Sequence, residues 1–255
     1  MQIWYDILNY SIVLAVGFIV GFINTLAGSG SLLTLPLLMW LGLDPLTANG
    51  TNRIAILMQG AAGVVMFHRQ GQYQYRHDLR YILPAVFGSI PGAFIAVDLD
   101  EAAMHKVIAI VMLLILAVMI ANPARYLKKH PVETPGRALV MMILFFFIGM
   151  YGGFIQAGVG ILMLAAFSLS GEMTLLRANA VKVLITMIFT IAVLPVFIAH
   201  KQVDYFYGVL MGIGSMGGAW WSARMAFRKG TPFLKFVLYT VILATAIYML
   251  IKNGS

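Results

Sequence analysis

Arg53 and Lys182 open two long apolar runs at nearly matching places in the two parts of the chain, and Arg177 lies just before Lys182. None of the nine acidic residues (Asp6, Asp44, Asp78, Asp98, Asp100, Glu101, Glu133, Glu172 and Asp204) falls in the middle of an apolar run. An unpaired charge in hydrocarbon costs at least about 2.5 kcal/mol. A bound anion would compensate such cations. The alternative is that each side chain snorkels to the interface from the first turn of its helix.

Two glycine-rich breaks supply a second ingredient. Gly28-Ser29-Gly30-Ser31 precedes the short apolar run 32–43, and Gly158-Val159-Gly160 precedes the short run 161–169. A half-helix that starts after such a break presents free backbone N–H groups and the positive end of its dipole. The hydroxyls of Ser29 and Ser31 add donors. Two such ends meeting near the midplane would cradle an anion; the alternative is that the glycines only allow close helix crossing. Gly88, Gly92, Gly214 and Gly218 fit the crossing role. Polar residues at membrane depth complete the candidate site: Asn24, Gln156, Asn49, Thr51, Asn52 and Asn179. Gln59 fits an interhelical hydrogen bond better than a ligand. Pro36 and Pro195 are expected to kink their helices.

Other chemistries lack carriers. Without a mid-run carboxylate, neither a carboxylate proton relay nor a sodium cage has an obvious place. The five histidines lie in loops or at run ends, and none forms a His/Asp/Glu cluster with metal-ligand spacing. There is no cysteine, which removes disulfides and thiolate chemistry. Ser29 has no histidine in a later run to activate it. The expectation is a non-enzyme with no cofactor and no metal.

The elements that must position these residues are membrane helices. The 255 residues are 61% hydrophobic and only 10% charged, with a mean hydropathy of +0.91. A soluble domain of this length needs far more polar surface. The formal charge of +8 comes from bases between apolar runs, as topogenic charge does, and does not point to nucleic acid. The segment 1–6 lacks a basic start, so no cleavable signal is expected. Apolar runs at 7–27, 51–67, 81–97, 107–121, 139–154, 181–199, 205–221 and 233–251 approach the roughly 20 residues that a span needs. Runs 32–43 and 161–169 are too short to cross upright.

The runs repeat. The spacing from Gly28 and Gly30 to Gly158 and Gly160 also relates Ala48-Asn49 to Ala178-Asn179. His68-Arg69-Gln70 pairs with His200-Lys201-Gln202, and Gly88-Ser89-Ile90-Pro91-Gly92-Ala93 with Gly214-Ser215-Met216-Gly217-Gly218-Ala219. The expected architecture is an all-α polytopic membrane protein: a first repeat over 1–122, a basic cytoplasmic linker over 123–137 and a second repeat over 138–255. Each repeat carries a glycine-broken or re-entrant helix pair. Basic loops near Arg69, Arg76 and Arg80, and near Arg224, Arg228 and Lys229, predict inverted copies with both chain ends outside. Parallel copies are the alternative.

Gly21-Phe22-Ile23-Asn24, Ala27-Gly28-Ser29-Gly30 and Thr34-Leu35-Pro36, with Ala48-Asn49-Gly50-Thr51-Asn52-Arg53, resemble the first signature of the TauE/SafE sulfite exporter family. Tyr151-Gly152-Gly153-Phe154, Gly158-Val159-Gly160 and Ala178-Asn179-Ala180-Val181-Lys182 resemble its second. Ser29, Ser31 and Ile185 depart from the family pattern. The resemblance implies transport of sulfite, thiosulfate, a sulfonate or a related organosulfur anion across a bacterial inner membrane. The expectation is a multi-pass secondary transporter working by alternating access, with a small anion and the lipid bilayer as partners and a homo-oligomer compatible with the sequence. A passive anion channel and a non-transporting membrane assembly partner are the alternatives.

Overall fold

A computed structural model describes residues 2–121, 137–171 and 173–252. Among the described residues every regular element is a helix: α1 Gln2–Ala27, α2 Ser31–Trp40, α3 Pro45–Arg69, α4 Tyr75–Val97, α5 Glu101–Ala121, α6 Arg137–Phe154, α7 Val159–Ser170, α8 Leu175–Ala199 and α9 Tyr205–Lys252. Apart from Arg137, the expected linker 123–137 lies outside the described residues. Three helices, Asn9–Ala27, Tyr75–Val97 and Leu175–Ala199, are long and apolar enough to cross a membrane. Both short runs form short helices. At 1.5 Å per residue, α2 and α7 reach roughly 15 and 18 Å, about half the hydrocarbon core.

Local chemistry fixes the helix ends. Asp44 accepts from the Leu46 and Thr47 N–H groups (3.0 and 2.9 Å) to start α3, with Pro45 at its first position. Thr174 does the same for α8, accepting from Arg177 N at 3.3 Å. The turns after α3 and α8 also match. Gly71 and Lys201 both adopt positive φ, and Gln72 N donates to Phe67 O (3.1 Å) as Gln202 N does to Phe197 O (3.0 Å). Gln202 thus corresponds to Gln72, not to Gln70 as the sequence blocks suggest. Lys201 hides the match, because a lysine stands where the turn favours glycine.

The basic segment around Arg224, Arg228 and Lys229 is another difference. It is helical, and the two runs at 205–221 and 233–251 join in the single 48-residue α9. Ala223, Arg224, Met225 and Ala226 are good helix formers, and the helix continues through Gly230 and Pro232. The helix is roughly 72 Å long, more than twice the hydrocarbon thickness.

Glycines set the helix crossings. A Cβ on Gly21 would lie 2.6 Å from Ser215 Cα, and one on Gly17 would lie 2.6 Å from Met211 O, so α1 and the start of α9 touch backbone to backbone and run in the same direction. Gly149 and Gly153 meet Ala85 and Ser89 in the same way, which makes α6 and α4 parallel. Gly88, Gly92, Gly214 and Gly218 face these same crossings, the packing role expected of them. Gly208 and Gly212 pack against Ile54 and Met58, so α3 runs with α9; Gly60 and Gly63 pack against Met187 and Val183, so α3 runs against α8.

Burial is reversed relative to a soluble protein. Phe87, Leu114, Leu139 and Trp221 are exposed, whereas Asn49, Thr51, Asn52, Arg53, Asn179 and Lys182 are buried. Lipid accounts for the first group, and interior partners must account for the second. Substituting valine at Gly21 or Gly153 should force the crossing helices apart and cost roughly 1–3 kcal/mol. Thermal unfolding in detergent should show the loss, and an alanine at Gly42, where a Cβ meets nothing within 4 Å, should cost only the strain of its positive φ.

Candidate functional site

Each buried cation is held by the end of a helix. α6 stops at Phe154, which leaves its last carbonyls without intrahelical donors. Arg53, on the third turn of α3, supplies them: Nη2 donates to Gly153 O (2.6 Å) and Phe154 O (3.4 Å), and Nη1 donates to Gly152 O (3.3 Å). Its guanidinium also lies 4.0 Å from the centre of the Phe197 ring. Nearby, Asn49 Nδ2 donates to Phe154 O at 2.9 Å. Lys182 plays the corresponding part at the end of α1. Its Nζ donates to Asn24 O (3.0 Å), Thr25 O (2.9 Å) and Asn179 Oδ1 (2.8 Å). The negative end of each helix dipole thus faces a cation. Among the described residues no carboxylate lies within ion-pair distance of Arg53 or Lys182.

The two glycine breaks meet. Gly28 and Gly158 both take positive φ (78° and 72°) to turn the chain out of α1 and into α7, and a Cβ on Gly160 would lie 2.5 Å from Gly28 Cα. Beside this contact is a cavity lined by Asn24, Gly28, Gln59, Gln156, Gly160, Lys182 and Thr186, with Ile56, Gly60, Val159 and Val183 as its apolar wall. It has about 10 Å³ of room, enough for one water. Gly160 is the second residue of α7, where a backbone N–H has no intrahelical acceptor.

Five of the candidate residues therefore come together on the cavity: Asn24, Gly28, Gln156, Gly160 and Lys182. Ser29, Gly30, Ser31, Asn49, Thr51, Asn52, Arg53, Gly158 and Asn179 are buried around it but do not line it. Asn179 supports Lys182 from the preceding turn. Asn52 Oδ1 accepts from Thr34 Oγ1 at 2.7 Å, and Thr51 Oγ1 accepts from Asp204 N at 2.8 Å. The start of α7 borders the cavity, whereas the start of α2 at Ser31 does not.

Sequence reasoning missed Thr186 and gave Gln59 only half its role. Gln59 Oε1 does accept from Asn24 Nδ2 (3.3 Å), but the residue also lines the cavity. Thr186 follows Lys182 by one helical turn, the spacing that puts two residues on one face. It belongs to a polar ladder along α8: Gln156 Nε2 donates to Thr190 Oγ1 (2.5 Å), Thr190 to Thr186 O (2.6 Å), and Thr186 to Lys182 O (2.8 Å). Several buried donors have no partner among the described residues: Asn52 Nδ2, Arg53 Nε, Asn179 Nδ2 and the Ser29 hydroxyl.

Both halves of this arrangement lie within a match to a single family. The model for the sulfite exporter TauE/SafE matches residues 13–249. This chain belongs to the TauE/SafE family. A probable membrane transporter protein, ORF9, from Sinorhizobium sp is 26% identical over 234 residues, covering 91% of this chain and 89% of that protein. A probable membrane transporter protein from Haemophilus influenzae is 29% identical over 237 residues, covering 92% of this chain and 91% of that protein. The probable membrane transporter protein YfcA of Escherichia coli K12 is 24% identical over 226 residues, covering 89% and 84%. No solved structure gives a significant match. The TauE/SafE match thus spans both capped helix ends.

Lysine cannot replace Arg53 in this setting, because one ammonium cannot span three carbonyls and stack on a ring. Arg53→Lys should lower unfolding free energy by roughly 1–3 kcal/mol through the carbonyls left unpaired, read as a lower melting temperature in detergent.

Proposed function

We propose that this TauE/SafE family member is a secondary transporter that carries a small sulfur-containing anion (sulfite, thiosulfate, a sulfonate or a similar organosulfur anion) across the bacterial inner membrane by alternating access. The carrying observation is Lys182: a cation in the protein interior, on the wall of a cavity between two broken helices, held by three neutral oxygens and, among the described residues, no carboxylate. An ammonium has three N–H bonds, and all three are engaged. An anion entering the cavity takes one of them and supplies the negative charge that the carbonyls lack.

The cavity as it stands holds only about one water. An oxyanion therefore enters when the surrounding helices part, which is how a carrier works and an open channel does not. The proposed parting units are two inverted repeats, over 1–122 and 138–255, with each broken helix pair returning to its own side. Helix directions support the inversion. α1 and α3 run with the start of α9, and α4 runs with α6, whereas α3 runs against its counterpart α8. The crossed caps support it as well, since Arg53 closes α6 while Lys182 closes α1.

Purified protein in proteoliposomes should show saturable sulfite flux and counterflow. Lys182→Met should reduce the flux roughly 10- to 100-fold, the loss of one charge-assisted hydrogen bond, with Lys182→Arg retaining part of it. A linear, unsaturable flux would favour a channel instead. Undiminished flux in folded Lys182→Met would remove the site.

A further inference from the structure

α4 and α8 are joined where they begin by one buried charge pair. Arg177 Nη2 donates to Asp78 Oδ1 at 2.8 Å, across 99 residues of sequence. Asp78 is fully buried, and the Arg177 side chain is only 17% exposed. The other carboxylate oxygen is also used, since Asp78 Oδ2 accepts from Gln74 N at 2.9 Å and so caps α4. His77 completes the cluster. Its Nδ1 lies 3.3 Å from Arg177 Nη2, and its Nε2 touches Arg80.

Neither α4 nor α8 needs this pair to be a helix. A cation in the first turn of α8 opposes the helix dipole, so Arg177 gains its favourable partner only from the other segment. Arg177 precedes Lys182 by five positions, roughly 7.5 Å along α8, and precedes Thr186 on the cavity wall by roughly 13.5 Å. The pair therefore stands between the cavity and the end of the bundle at which α4 and α8 start. Along α8, Ala180 stands between Arg177 and the cavity-wall residue Val183, and both Ala180 and Val183 pack in one apolar cluster with Phe67 and Ala223. At the other end the joints are neutral hydrogen bonds: Thr51 with Asp204, and Gln202 Nε2 with Val97 O (3.1 Å).

We propose that Asp78–Arg177 is the latch that keeps the cytoplasmic mouth of the cavity shut, and that it breaks each time the cavity opens to the cytoplasm. The proposal rests on the alternating-access reading above. Its side is assigned from the basic residues Arg69, Arg76 and Arg80 around the same end. An ion pair suits a latch because water solvates both partners as soon as the mouth parts. Opening then leaves no charge stranded, while closing selects a single geometry. Apolar packing alone would close with no such register.

The chain has no cysteine, so Thr186→Cys places a single thiol on the cavity wall. Its reaction with a charged, impermeant methanethiosulfonate is measured in inside-out and right-side-out vesicles. In the Arg177→Gln background, labelling should rise at least tenfold in inside-out vesicles and stay unchanged in right-side-out ones. Arg177→Lys should keep it near the parental rate. Asp78→Asn retains an acceptor for Gln74 N and should match Arg177→Gln; the double variant should exceed neither single change. Equal labelling with and without the pair, or a rise from both faces, overturns the latch. Sulfite flux by the parental protein is followed in parallel. Absent flux with latch-dependent labelling would sink the substrate reading and leave the latch standing.

Discussion

A charge in an apolar interior must find partners, and here the partners are the ends of helices. Arg53 and Lys182 are satisfied by carbonyls in the last turns of α6 and α1. The dependence is mutual. A broken helix exposes carbonyls that hydrocarbon cannot solvate, and a buried cation would be untenable without them. Much else follows from this exchange: the breaks must be brought to the cations, so each broken helix packs against elements from the other part of the chain.

Backbone contact makes that exchange geometrically possible. The α1–α9 and α4–α6 crossings have glycine on both sides, so the axes approach more closely than side chains would permit. With those helices fixed, Gly28 reaches Gly160, and the cavity forms at the only place where Lys182, the α7 start and the polar ladder of α8 converge among the described residues. The Gly28–Gly160 contact is part of its wall.

The two cations are not equivalent in this arrangement. Arg53 makes three carbonyl bonds and a ring contact away from the cavity, the role of a bolt, whereas Lys182 faces the cavity with a compact head that can exchange partners. Guanidinium and ammonium differ in this way generally: the planar fork fixes several acceptors at once, and the point charge moves. The charged joint at Asp78–Arg177 adds asymmetry of another kind, since the far end of the bundle is held by neutral hydrogen bonds.

Composition and period alone determined that the chain is helical and lipid-facing, because 61% hydrophobic residues in long runs have no other stable solvent. Helix boundaries were legible to within a turn where a glycine break marked them, as at Gly28 and Gly158, but the start of α3 was not: the apolar run begins at 51, whereas Asp44 caps a helix that starts at Pro45. They were illegible at Arg224–Lys229, where charge suggests a loop and helix propensity prevails. The sequence also picked out Asn24, Gly28, Gln156, Gly160 and Lys182, because polar and glycine residues in apolar runs need a reason to be there. It could not separate them from Arg53, Asn52 or Ser31. A side chain's facing direction depends on which helix it meets, and those meetings are made by residues far apart in the chain: Gly28 with Gly160, Lys182 with Asn24, and Asp78 with Arg177. Only the tertiary structure decided which cation closes a helix end and which one borders the cavity.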